Sequence, residues 1–400
     1  MRQPRLQQAK KQRPLKAACK HCRLPYTSGD MVNLNRTLVP AAWMFYLVIV
    51  FEILYMISPF ALYFYSAYGP WLNLFHHSAQ TAWLTGFFLP HFSQTTSPVL
   101  NLLPKLSDPL VWLGAGVFAL GFVQIYAAKI LRRGAVTGGL YRFIRHPQYA
   151  ALAIVGLGTL IHWPRFLVLL MFVTMLFLYY FLARHEEERC VQKFGESYRA
   201  YQAQTGMFFP GGLFKRAPAV LPASGWQRLV AALALYAVVL VATVGIAQWL
   251  RDYSLSRVST HYADNMAIIS PAVLTQDELV KAARIAQDHT ETQRALGSVG
   301  PNAKLLVYVV PIEWKLPDIP METTQGGHYT PENFDRRFYK VLFTRVRTHE
   351  PAAEGKEIIT RAYGRDPIVL VKVNVEAGQI TSIETPPPHV RWGDIPTPLF

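Results

Sequence analysis

Four stretches of this chain stay apolar for longer than a soluble helix requires, and nothing else constrains the fold as strongly. Residues 41–65, 109–131, 150–183 and 226–250 are dominated by Leu, Val, Ile, Phe and Ala. About 20 apolar residues in a helix cross the hydrocarbon core of a bilayer. In that medium every backbone N–H and C=O has to be satisfied within the segment, which a helix does. The third stretch is broken near its middle by Trp163, Pro164 and Arg165, so it reads as a hairpin of helices at 150–162 and 165–183. The sequence therefore predicts a mainly α polytopic membrane protein with about five membrane helices, hairpin included. Glu52, inside the first run, is costly facing lipid and is expected to face the bundle or water. Gly114, Gly116 and Gly121 suit close helix packing in the second.

Charge sets the expected topology. Residues 1–250 carry 23 Lys+Arg against 7 Asp+Glu, whereas residues 251–400 carry 17 against 18. A basic excess confined to the membrane half fits positive-inside topology and anionic lipid. It argues against nucleic acid as a partner, because no basic stripe marks the soluble half. Residues 1–36 read as a basic cytoplasmic tail and residues 37–250 as the membrane domain. Residues 251–400 read as a soluble domain on the non-cytoplasmic side. Residues 66–108 contain His76, His77 and His91 but a single basic residue, Lys105. A crossing there would put residues 129–145 outside, so an interfacial or re-entrant helix near 71–92 is expected. These histidines read as interfacial hydrogen-bonders, and no metal site is expected. Cys19 and Cys22 form a lone CxxC without the further ligands a structural zinc requires.

The C-terminal part predicts a small α+β domain. Thr275 and Glu278 have capping-box spacing and open a helix running to about residue 296. Residues 304–310, 338–346 and 367–375 are strand-like, and a turn at Ala377-Gly378 leads to a partner strand at 379–384. No catalytic spacing stands out there, and neither its role nor any protein partner can be read from it.

The chemistry concentrates at the two ends of the hairpin. Before it stands VTGGLYRFIRHPQY, residues 136–149; after it stands RHEEERCVQKFGESYRAYQAQTGMFFP, residues 184–210. A hairpin returns its ends to one side, so His146 and the Glu186-Glu187 pair should face each other. Gly138 and Gly139 let backbone approach a ligand. Pro147 suits a helix start, Arg145 offers a planar fork for a carboxylate, and His146 carries charge near neutral pH. Glu186 and Glu187 provide acceptors for an amino group or a cationic sulfur, and Tyr149 can stack or donate. Together these residues could hold a zwitterion. The alternative is plainer: Arg142, Arg145 and Arg184 as topology anchors, with the glutamates on an exposed helix face.

The pattern VTxGxYRxxRHPxY, an apolar hairpin, EE, then FGxxYxxY and a Pro resembles the isoprenylcysteine carboxyl methyltransferase family, which is grouped with membrane phospholipid methyltransferases. The likeness covers roughly residues 109–212 and rests on Gly139, Tyr141, Arg142, Arg145, His146, Pro147, Tyr149, Glu186, Glu187, Phe194, Gly195, Tyr198 and Tyr201. It implies S-adenosyl-L-methionine as cofactor, bound by Gly139, Tyr141, His146, Tyr149, Glu186 and Glu187. It also implies that Arg145 and Glu187 act near the reacting centre. The expected function is methyl transfer to a carboxylate, thiol or amine on an isoprenoid-like or lipid molecule. One departure is Ala151, where the family often has Gly; its methyl is expected to narrow the cofactor cleft or alter helix packing. Membrane sterol reductases resemble the pattern too, which leaves an NADPH-dependent reductase as an alternative. A membrane anchor for a partner-binding domain is another.

Overall fold

A computed structural model describes residues 29–68, 74–75, 78–91, 93–131, 134–210, 225–317, 319–321 and 328–387. Cys19, Cys22, His76 and His77 lie outside the described residues. The chain divides into two units, residues 1–55 and 56–400. In the first, the described part is the start of helix α1 (Gly29–Tyr68), on which Glu52 is half-buried.

In the second unit, α1 ends and is followed by α2 (Pro98–Ile130), α3 (Pro147–His162), α4 (Phe166–Phe194), α5 (Glu196–Gln204) and α6 (Gly225–Leu255). Among the described residues, four helices are long and apolar enough to cross a membrane: α1 over Leu47–Phe64, α2, α4 and α6. Helix α3 has 16 residues and is short for a full span. Trp112, Val123 and Val241 point outward with most of their surface exposed, as expected where the solvent is hydrocarbon.

The second span starts earlier than its apolar run implies. Helix α2 opens at Pro98 and carries Pro104 and Pro109 within it. A Pro in the first turn is at home because its missing N–H has no partner there anyway. Of the helix expected near 71–92, Leu74 and Phe75 are helical and Ala82–Thr85 form a 3-10 turn, while residues 71–73, 76, 77 and 92 lie outside the described residues. The segment pairs with the hairpin turn: Phe88 N–H donates to the Pro164 carbonyl at 2.8 Å and Phe166 N–H to that of Gly86 at 3.1 Å.

Helices α2 and α3 pack flush. A Cβ on Gly114 would stand 2.7 Å from the Ala151 carbonyl oxygen, and one on Gly158 2.8 Å from that of Ser107. The Ser107 hydroxyl donates to the Gly158 carbonyl at 3.0 Å. Ala151 is fully buried at this seam, so its methyl belongs to helix packing. Gly116 meets nothing within 4 Å; it faces outward and takes no part in the packing expected of it.

Residues 259–384 form one six-stranded sheet in the order β1 (Ser259–Ala263), β2 (Met266–Ser270), β3 (Leu305–Pro311), β4 (Phe338–Thr348), β5 (Ala362–Asn374) and β6 (Gln379–Glu384). Only β2 and β3 pair in parallel, as the helical crossover between them requires. That crossover is two helices, α7 (Gln276–Gln287) and α8 (Thr290–Gly297). The capping box on Thr275 forms. The expected single helix breaks where the His289 ring accepts from the Glu291 N–H and caps a new start. A one-turn helix, α9 (Lys356–Thr360), precedes β5.

The seam predicts an asymmetry. Gly158→Val should lower the melting temperature of the detergent-solubilised protein by the equivalent of about 1–3 kcal/mol of overpacking. Gly116→Ala should leave it unchanged. Equal effects would show that the close approach at Gly158 does not hold the pair.

Candidate active site

The Arg145-His146-Pro147 segment is held from both sides. Behind it, the backbone of Arg145 and His146 donates to the Gly206 and Met207 carbonyls at 2.9 and 3.1 Å. The chain can return to make these bonds because Gly195, at φ +60°, turns α4 sharply into α5, a conformation open to glycine at little cost. In front, α4 brings its carboxylates up to the segment. Pro147 occupies the first turn of α3, with His146 as N-cap.

Glu187 is the hub. Its buried carboxylate accepts from Arg145 Nε at 2.5 Å and Gln202 Nε2 at 3.0 Å, and it contacts His146 Nε2 at 3.3 Å. Arg145 Nη1 donates to the Gln202 and Thr205 carbonyls. Its Nε and Nη1 are thus committed inside the protein. His146 Nδ1 is 3.5 Å from Glu186 Oε2, and the Tyr149 hydroxyl donates to Glu186. Burial opposes a charge on His146, but its hydrogen bonds to Glu186 and Glu187 together outweigh burial and raise its pKa.

Beside this cluster is a cavity of about 330 Å³, within the range of small-molecule sites. Its walls come from the end of α2 (Ile125, Lys129), the following loop, the start of α3, the end of α4 and α5. Tyr141, Arg145, His146, Tyr149 and Glu186 line it; Gly139 and Glu187 do not. Gly139 has another reason to be glycine. Its φ is +61°, and a Cβ there would be 2.2 Å from Gln124, whose side-chain oxygen accepts from Leu140 N–H at 3.2 Å. His146 and Glu187 touch, so no molecule fits between them; the space lies to one side.

Two residues carry unmet polar atoms at this cavity. Tyr141 Oη and Gln148 Nε2 are buried without a hydrogen-bond partner, and both side chains line the space. They stand near Gly121, where a Cβ would be 3.2 Å from Gln148 Cγ and 3.8 Å from Tyr141 Oη. Buried donors without acceptors are uncommon, and a ligand would satisfy them. Burial raises the Tyr141 pKa, Glu186 adding to the effect, and pushes that of Tyr201 up to about 12. Both phenols therefore stay neutral donors. Tyr201 uses its proton on the Tyr141 carbonyl at 2.5 Å.

Sequence reasoning brought the right segments together but missed Gln124, Gln148, Gln202 and Thr205. The signal for Gln148 was its place between the Pro and Tyr of RHPQY, one residue into α3. Gln202 and Thr205 act through backbone carbonyls or a single amide, which residue type does not announce.

Residues 111–197 match the family model described as phospholipid methyltransferase. This stretch runs from within α2 to the start of α5 and supplies most of the cavity wall. The chain thus carries a membrane methyltransferase domain of that kind, in agreement with the resemblance seen in the motifs. No curated protein and no solved structure matches the chain.

The coupling of His146 to two carboxylates has a pH signature. With its pKa raised in the folded state, its protonation stabilises the fold fully below the ordinary value near 6.5 and is lost as pH rises through the folded value. Thermal unfolding followed from mildly acidic to alkaline pH should show the midpoint falling across that window, and less so in Glu187→Gln. That variant should also lose roughly 3–5 kcal/mol at neutral pH, because it breaks a buried ion pair. An unchanged midpoint would refute the hub.

Proposed function

We propose that this cavity binds S-adenosyl-L-methionine and that the protein transfers its methyl group to a lipophilic acceptor in the membrane. The observation that carries the proposal is a methyltransferase-family stretch whose separated motifs meet at one cavity containing a carboxylate and unmet donors. The residues fit the cofactor's chemistry. Glu186 is available to its cationic groups, and Tyr141 Oη and Gln148 Nε2 to its oxygen or nitrogen acceptors. When bound, the cofactor supplies a methyl already activated on a sulfonium.

The chain then has to align the acceptor and exclude water. Alignment in a closed site supplies several kcal/mol, roughly 7–11 in the best cases, and a dry site strengthens each charge contact. We assign Tyr141, His146, Tyr149, Gln148 and Glu186 to cofactor binding. Glu187 and Gly139 act behind the wall, positioning His146, Arg145 and the Leu140 backbone. Arg145 has one face on the cavity, with its Nε and Nη1 held by Glu187 and the Gln202 and Thr205 carbonyls.

The raised pKa of His146 favours its protonated form, which weakens it as a general base. An acceptor that arrives already deprotonated, such as a carboxylate or thiolate on an isoprenoid-like or lipid molecule, suits the site; a lipid amine is the next candidate. The family match over residues 111–197 favours methyl transfer over an NADPH-dependent reductase, although Lys129 and Lys193 also line the cavity. Lys129, Arg142, Arg145, Arg184, Arg189 and Lys193 stand at this end of the helices, a basic excess that supports a cytoplasmic-side cavity under the positive-inside rule.

Labelled S-adenosyl-L-methionine binding to the purified full chain tests the assignment. Glu186→Gln and Gln148→Ala should each weaken binding about tenfold or more, equivalent to about 1.4 kcal/mol, and Gln148→Ala should leave the melting temperature near that of wild type. Wild-type affinity in both variants would remove this cavity as the cofactor site.

A further inference from the structure

The opposite end of the helices carries a second set of unmet donors. Glu187 stands 21 residues beyond Phe166 on α4, so these levels are roughly 30 Å apart at 1.5 Å per residue, about the hydrocarbon thickness of a bilayer. At the Phe166 level the soluble domain docks on the membrane part. Gln94 N–H donates to the Pro271 carbonyl at 2.7 Å, and Thr96 N–H to that of Arg257 at 2.9 Å.

Arg251, in the last turns of α6, enters this junction with only 9% of its surface exposed. One nitrogen, Nη2, donates to the Thr360 carbonyl at 2.8 Å, and the guanidinium lies 5.6 Å from the Phe166 ring centroid. Its Nε is buried without a partner. Ser254, three residues on and therefore on the same helix face, is fully buried with its hydroxyl unpartnered. Arg365 on β5 has both Nε and Nη2 buried and unpartnered. It is close enough to act on the charge of Arg251, as is Arg361. Strand β5 packs on the Ala82–Thr85 turn, and Arg251 Nη2 stands 3.5 Å from where a Gly86 Cβ would be. Arg251 thus reaches the same segment that β5, the strand carrying Arg365, packs on.

No described carboxylate neutralises them. Asp252, whose charge Arg251 also feels, pairs with Lys356 at 3.3 Å, and Glu350 pairs with Arg361 at 3.0 Å. A buried guanidinium and a half-buried one with inward nitrogens, both without a counter-ion and beside a buried hydroxyl without an acceptor, are a combination that folded proteins avoid.

We propose that Arg251, Ser254 and Arg365 form an anion site for a phosphate group, at the bilayer face opposite the methyltransferase cavity. A phosphate presents several acceptor oxygens to planar guanidinium forks. The end of a spanning helix is also the depth at which lipid phosphates sit, and basic pockets there take lipid head groups. The same chemistry would hold free inorganic phosphate, and one experiment separates the two sources.

The full chain, purified in an uncharged maltoside detergent, is melted alone, with inorganic phosphate, and with phosphatidylglycerol micelles. Lipid retention is read by native mass spectrometry. The expected result is a higher melting temperature with phosphatidylglycerol and one retained lipid, with both effects lost in Arg365→Gln and largely kept in Arg365→Lys. An equal shift with inorganic phosphate alone would support the site and assign it to the soluble anion. If Arg365→Gln does not fold, Ser254→Ala is the test, and it should weaken lipid retention at unchanged expression. No shift with either anion in wild type, or a wild-type response in Arg365→Gln, overturns the proposal.

Discussion

One buried carboxylate, Glu187, holds the candidate site together. It gathers Arg145 from the loop before α3, His146 from the N-cap of α3 and Gln202 from α5 onto the end of α4. Two cationic groups and an amide around one anion, nearly shut off from water, have strong mutual dependence, because removing any member leaves the others with unscreened charge or unmet donors. That explains a division of labour between neighbouring glutamates. Glu187 points inward and is used up in holding the site, which leaves Glu186, a hundred degrees around the helix, to face the cavity.

The membrane sets the second constraint. A membrane-spanning length of α4 separates the cavity from the junction where the sheet domain docks. At one end, charged residues are paired around Glu187. At the other, the turn at residues 163–166 binds the backbone of residues 86–88, and the sheet domain rests on that layer. The sheet does not line the cavity, whose walls come from residues 125–201. Any influence of the sheet on the cavity must travel through the helices between them.

The flush α2–α3 seam links these ends mechanically. Gly114 and Gly158 let the two backbones meet without side chains between them, which matters in lipid, where apolar surface alone does not drive helices together. The seam fixes the start of α3, and with it His146 and Gln148, relative to the end of α2, where Gln124 and Lys129 border the site.

Much of this was legible in the chain itself. Apolar length announced the spans, Trp163-Pro164 announced the hairpin, and Thr275 with Glu278 announced the start of α7, because each depends on neighbours in sequence. The family motif named Tyr141, His146, Tyr149 and Glu186, all of which border the cavity. Sequence alone could not tell Glu186 from Glu187 or Gly114 from Gly116, since adjacent identical residues differ only in which way the helix turns them. It could not find Gln148, Arg251 or Arg365 as residues with unmet donors. Whether a buried polar atom has a partner is decided by chain segments tens to hundreds of residues away, and only the tertiary structure brings those segments into contact.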